Sequence, residues 1–335
     1  MVFMLASCGA FVRTPTLQPT ATVLPTLTTT ALPTLTETPV AIREIATVPV
    51  PSPSGYADLP DGEYILYFKD HSLEIISLDT KFQKRLIEAK EVFLSPDNQH
   101  VIFVPVNKPT PVLLNFETMA QEELPFLKDC FEITLSPNHQ YFLGTCFSEE
   151  RSFEIYLFSR DGNQTLQLTH CAGEHGDCSR ARYSPNGEWI AYSWGVGGAF
   201  ETSRVGLYLL ETDCVSLTSD CQPEAKGPFE PFADFTWASD SRHLASSGSE
   251  GIAIFEVADD KVVRKIRELP GKPARLSDHY LIWSLDAQQL AYSTGNQINI
   301  VALEDGRSLD FLKFDRHPYL ALLGWIQITQ GKVSN

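Results

Sequence analysis

The run Tyr183-Ser184-Pro185-Asn186-Gly187-Glu188-Trp189-Ile190-Ala191-Tyr192 places a four-residue turn between apolar, aromatic-rich flanks. Proline presets φ for such a turn and the Asn side chain can close it on its own backbone, so the run reads as a tight strand-to-strand reversal. It is not alone. The same turn chemistry recurs at Leu59-Pro60-Asp61-Gly62, Ser95-Pro96-Asp97-Asn98, Ser136-Pro137-Asn138-His139, Ala238-Ser239-Asp240-Ser241 and Ser284-Leu285-Asp286-Ala287, always with Asp or Asn in third place.

The flanks keep register with the turn. Five places after its second residue stand Ile65, Val101, Phe142, Ile190, Leu244 and Leu290; two places before it stand Leu94, Leu135, Tyr183, Trp237 and Trp283. Apolar columns beside a fixed turn are what repeated hairpins produce when one sheet packs on the next. A further β-branched or aromatic run follows in every unit, at residues 73–78, 112–116, 153–158, 205–210, 252–257 and 298–303. The turns are 36, 41, 48, 54 and 46 residues apart, which suits four strands per unit and a β-propeller blade rather than a short-repeat solenoid. The first unit lacks a strand before Pro60, and the apolar run Tyr319–Ile328 carries Trp325 in the manner of Trp237 and Trp283. The C-terminal segment is therefore expected to complete the first blade and close an all-β, six-bladed ring of four-stranded antiparallel blades; seven blades follow if that segment forms its own sheet.

These units resemble the WD-repeat-like modules of the TolB-type propellers, in the Ser-Pro-Asx turn, the Ile190-Ala191-Tyr192 strand and the Leu-Thr that ends a blade at Leu168-Thr169 and Leu217-Thr218. The resemblance covers about residues 56–330 and departs from the pattern at Ser239 and Leu285, which replace proline. It implies a six-bladed ring and an exported bacterial protein. It says little about partners, because one fold hosts many functions.

The N-terminal sixth differs in kind. Residues 14–54 hold 12 Thr and 8 Pro, with Leu-Pro-Thr-Leu-Thr twice, at Leu24–Thr28 and Leu32–Thr36. Such a composition packs no core and reads as an extended tether, on the order of 100 Å long at full polyproline extension. Before it, Leu5-Ala6-Ser7-Cys8-Gly9 resembles the lipobox of bacterial lipoproteins. The expected organisation is a residual lipoprotein signal over 1–8, a disordered tether over 9–54 and a propeller over 55–335, anchored at the membrane only by lipid on Cys8.

Six cysteines remain. Cys130 and Cys146 flank the third turn symmetrically about Asn138, while Cys171/Cys178 and Cys214/Cys221 share one spacing. Three local disulfides are the simplest pairing in an exported protein. Zinc on His170, Cys171, His175 and Cys178 is the competing reading.

The net charge of −16 falls on the folded part, which disfavours nucleic acid and anionic lipid as partners. No Gly-x-Ser-x-Gly elbow, His-Glu-x-x-His, phosphate loop or dinucleotide fingerprint is present, so no catalytic residue and no cofactor is expected. The longest insertions, residues 171–180, 195–204 and 214–232, are expected at the end of the ring opposite the Asx turns. There Glu174, His175, Asp177, Glu201, Asp220 and Glu224 would form an acidic binding face. The function these features favour is that of a monomeric, non-catalytic binding or scaffolding module at the cell envelope, its partner another envelope protein or an extracellular ligand. A propeller enzyme acting on glycan or peptide and an extracytoplasmic sensor subunit are the alternatives.

Overall fold

The computed structural model describes residues 55–335 apart from 175, 197–204, 216, 218–223, 230–233, 248–250, 259–260, 270–280, 317, 330–331 and 335. Its strands form six antiparallel sheets. Blades two to six each run from inner to outer strand in chain order. Blade two comprises 91–94, 100–104, 112–115 and 121–123, blade three 130–135, 141–147, 153–159 and 165–167, and blade four 176–183, 189–196, 205–211 and 225–226. Blade five comprises 234–237, 243–247, 252–257 and 263–269, and blade six 281–283, 289–293, 297–302 and 308–313. In blade one, strands 62–69, 72–77 and 83–88 are completed on the inside by Leu320–Thr329, to which Lys332–Ser334 adds a short fifth strand. The ring has six blades, and the C-terminal strand closes it.

Gly62–Lys69, GEYILYFK, shows why the strands read as continuous apolar runs. Leu66 and Phe68 pack with Val92, Val101 and Phe103 of blade two, while Ile65 and Tyr67 pack with Ile282, Ala291 and Ile300 of blade six. Alternate side chains leave opposite faces of a strand, so a blade buried on both faces needs apolar residues at every position. Each of the six hydrophobic clusters joins two successive blades. The two apolar columns are one feature: Leu94 faces Val101, Leu135 Phe142, Tyr183 Ile190, Trp237 Leu244 and Trp283 Leu290 across the hairpins, and Trp325 faces Ile65.

The turns hold that register with side-chain hydrogen bonds. Ser136, Ser184 and Ser284 donate from Oγ to the Asx Oδ1 at 2.7, 2.7 and 2.6 Å, and Ser95 bonds Asp97 likewise. The same Oδ1 atoms accept the backbone N–H of Gln99, Gln140, Glu188 and Gln288 at 2.9–3.1 Å. The fourth residue has a left-handed backbone in blades two to six (Asn98, His139, Gly187, Ser241, Ala287), a conformation that Gly187 and Asn98 adopt at least cost. Burial opposes ionisation of Asp97, but hydrogen bonds from His100, Ser95 and Gln99 outweigh it and hold the carboxyl well below the ordinary range; His243 does the same for Asp240.

Long outer strands carry bulges. Pairing skips Leu86, Ile266 and Phe311 in blades one, five and six, which breaks the flat edge another chain could extend.

Two outcomes are expected. Trp325→Ala, at a side chain 3% exposed, should cost about 3–5 kcal/mol in urea unfolding. Because Asp97 and Asp240 are held below their unfolded value of about 4, they contribute stability at higher pH that fades as pH falls through that value towards their folded ones. Circular dichroism should show acid destabilisation, and Asp97→Asn should make its pH dependence shallower.

Candidate binding cavity at the turn end of the ring

The inner strands and their turns enclose a cavity of about 390 Å³ on the ring axis. Its rim carries the second residue of five turns, Pro96, Pro137, Pro185, Ser239 and Leu285, with Leu323 and Gly324 closing the circle from blade one. Tyr183, Trp237, Trp283 and Trp325 also line it. The Ser239 and Leu285 departures thus sit on this rim, where Ser239 Oγ donates to Leu285 O at 2.8 Å and ties blade five to blade six.

The charged lining is committed to neighbouring blades. Glu132 Oε2 accepts the Arg180 backbone N–H at 2.6 Å and the Thr145 hydroxyl at 3.0 Å, with the Arg180 guanidinium Nε 3.8 Å from Oε1. Both residues have left-handed backbones at bulges in the inner strands of blades three and four. Arg182 of blade four bonds Asp234 of blade five at 3.1 Å and donates to Phe235 O; Asp234, fully buried, accepts the Leu281 N–H of blade six at 3.2 Å. Glu132 and Asp234 are therefore each met by an arginine and a backbone N–H from an adjacent blade. The arrangement fixes inner strands against each other.

Sequence reading missed these four residues. Residues 171–180 were expected to be an insertion, whereas Gly176–Tyr183 is the inner strand of blade four and only 168–175 connects it to blade three. The signal lay in Ser179-Arg180-Ala181-Arg182-Tyr183, where charged residues alternate with residues of the apolar face.

The acidic face is also corrected. Ala225–Lys226 is the outer strand of blade four, pairing with Leu209 and Leu210, so the third strand ends and the fourth begins at the turn end. Exposed Glu224 therefore stands at the end opposite Asp177, which faces Gly195 at the far end of the same blade. Asp177 is half-buried and accepts the Phe153 N–H at 2.9 Å, bracing blade three. Glu174 closes the 3₁₀ turn Cys171–Glu174; its side chain, together with His175, Glu201 and Asp220, lies outside the described residues. Asp177 and Glu224 do not share one face, because a fourth strand interrupts the run 214–232.

Two of the three expected bridges are present, Cys130–Cys146 and Cys171–Cys178; Cys214 and Cys221 lie outside the described side chains, as does Cys8. Bridged Cys171 and Cys178 are not zinc ligands. Glu154 beside them is fully buried and bonded by Ser152, Thr169 and the Ala172 N–H, which gives the blade-ending Leu168-Thr169 its role as an anchor. A second cluster, Asp97, His100 and His139, stands at the turn end, where Asp97 also lines the cavity.

No family model matches the chain, and no curated protein matches it. Solved structures do. TolB from Acinetobacter baumannii superposes with a TM-score of 0.53 at 17% identity, over 79% of this chain and 66% of that one. The fold is that of a TolB-like β-propeller. The same architecture appears in a nidogen/laminin complex (TM-score 0.55, 13% identity, 79% of this chain and 97% of that one) and in the Myceliophteria thermophila Cps50 (Swd1) propeller domain (0.51, 13%, 82% and 97%). At these identities the likeness is one of fold, and this TolB-like ring spans slightly less than two thirds of the Acinetobacter chain. Among its described residues no helix is long and apolar enough to cross a membrane.

Removing one member of the buried pair should expose its structural role: Asp234→Ala is expected to cost about 3–5 kcal/mol in chemical unfolding, because Arg182 and the Leu281 N–H lose their partner together.

Proposed function

We propose that this chain is an extracytoplasmic, lipid-anchored binding module that takes an apolar segment of a protein or ligand at the turn end of its central cavity, without performing chemistry on it. The observation that carries the reading is the cavity itself: an apolar rim of Pro96, Pro137, Pro185 and Leu285 above walls in which Glu132 meets Arg180 and Arg182 meets Asp234. Such a mouth favours burial of apolar surface and offers orientation through a few fixed polar groups. Disulfides support an oxidising compartment. The tether and Cys8 support anchoring at the membrane, which two acyl chains make stable. One structure of the same fold is itself that of a complex between proteins.

The test is cross-linking and recovery from envelope fractions with the wild type, Leu285→Glu at the rim, and Glu224→Ala just before the outer strand of blade four. A partner recovered by wild type and Glu224→Ala and lost with Leu285→Glu is the expected result; equal recovery by all three overturns the cavity reading. Incorporation of labelled palmitate into wild type but not Cys8→Ala tests the anchor separately.

A further inference from the structure

The Asx turn of blade two differs from the others in its outer half. Asp97 divides its carboxylate: Oδ1 serves the turn, accepting the Gln99 N–H at 2.9 Å, the His100 N–H at 3.1 Å and the Ser95 hydroxyl, whereas Oδ2 meets two imidazoles. His100 Nδ1 lies 2.6 Å from Oδ2, and His139 Nε2, brought from the turn of blade three, lies 2.8 Å from it. The two rings meet edge to face with centroids 4.8 Å apart. Asp97 and His100 side chains are 16% and 15% exposed, and that of His139 44%, so the group is walled on one side and open to solvent on the other.

The fold provides its own control. Asp240 and His243 of blade five repeat the pair, Nδ1 to Oδ2 at 2.6 Å, but the matching residue of the following turn is Ala287. The Asp–His pair is thus ordinary turn architecture here. His139 makes it a group of three.

We propose that Asp97 Oδ2, His100 Nδ1 and His139 Nε2 form a binding site for a borderline divalent transition-metal ion, with Zn²⁺ the expected occupant. Two imidazoles and one carboxylate are the donor set such ions favour, and three protein ligands leave a position open. Tetrahedral ligation at about 2.0–2.2 Å sets donor atoms roughly 3.3–3.6 Å apart, so the 2.8 Å separation to half-exposed His139 and the 2.6 Å separation to His100 must open by roughly 0.5–1 Å.

His100 sets the cost. Asn115 Oδ1 accepts the N–H groups of Glu117 and Thr118 at 2.9 and 2.8 Å, so its amide NH₂ faces His100 Nε2 at 3.0 Å. In the metal-free protein Nε2 therefore accepts and Nδ1 carries the proton given to Asp97. Ligation moves that proton to Nε2, and Asn115 must turn its oxygen towards it. Asn115→Asp would supply that acceptor in place, since a carboxylate behind a ligating histidine strengthens the ligand.

Calorimetric titration of ZnCl₂ and NiCl₂ into tag-free, disulfide-intact protein tests the site, with a thermal melt of each metal-free variant to establish that it is folded. The expected results are one Zn²⁺ per chain, binding about 10–100-fold weaker in His139→Ala, tighter in Asn115→Asp and unchanged in His243→Ala. Absence of saturable binding, unchanged affinity in folded His139→Ala, equal loss in His243→Ala, or no tightening in Asn115→Asp each overturns the three-ligand site.

Discussion

Everything in this ring depends on burying both faces of each blade against its neighbours. A four-stranded blade has no core of its own, because its alternate side chains leave for opposite sides and meet those of the blades before and after. Tyr64, Leu66 and Phe68 belong to one core and Ile65 and Tyr67 to the next, so a single strand serves two interfaces. That design has no stable open form in which the first and last blades keep a dry outer face. Pairing of 320–329 with 62–69 is the consequence: the last strand lies inside the first blade and brings Trp325 into the position that Trp237 and Trp283 occupy elsewhere.

The turn end of the ring is held together by small polar devices that pass from blade to blade. His139 reaches Asp97, Ser241 Oγ accepts the Asn186 N–H at 2.9 Å, and Ser239 reaches Leu285. Deeper in, Glu132 holds the inner strand of blade four and Asp234 that of blade six. Such contacts add little individually beside six apolar interfaces, but they fix the angular order of the inner strands and hence the shape of the cavity. Glu132 and Asp234 serve the ring, which is why an apolar rim, rather than either of these carboxylates, carries the proposed binding of an apolar segment.

How much of this was legible follows from range. The turn and the two columns are local patterns that recur from blade to blade, and repetition made the Ser239 and Leu285 departures and the matching Trp325 of the closing strand recognisable. Cys130 and Cys146 were legible because they are symmetric about a known turn. Arg180 and Arg182 were not: a bulge with a left-handed Arg180 has no strong local signature, and the strand 176–183 was hidden beneath a Cys-rich run. The two-residue strand Ala225–Lys226 is too short for any periodicity, yet it decides which end of the ring Glu224 occupies. His139 looked like an ordinary fourth turn residue; its partner Asp97 lies one blade away, a distance that only the angular packing of blades brings to 2.8 Å.

Closure of the ring by its C-terminal strand is tested most directly by a cysteine pair at Glu63 and Gln327, whose Cα atoms are register partners across the closing seam and which disulfide geometry would join only if the two strands lie side by side. Oxidation of the folded double variant should yield a monomer containing a peptide cross-link between residues 63 and 327 by mass spectrometry. Free thiols at both positions in a folded protein, or cross-links only between two chains, would contradict the closed ring.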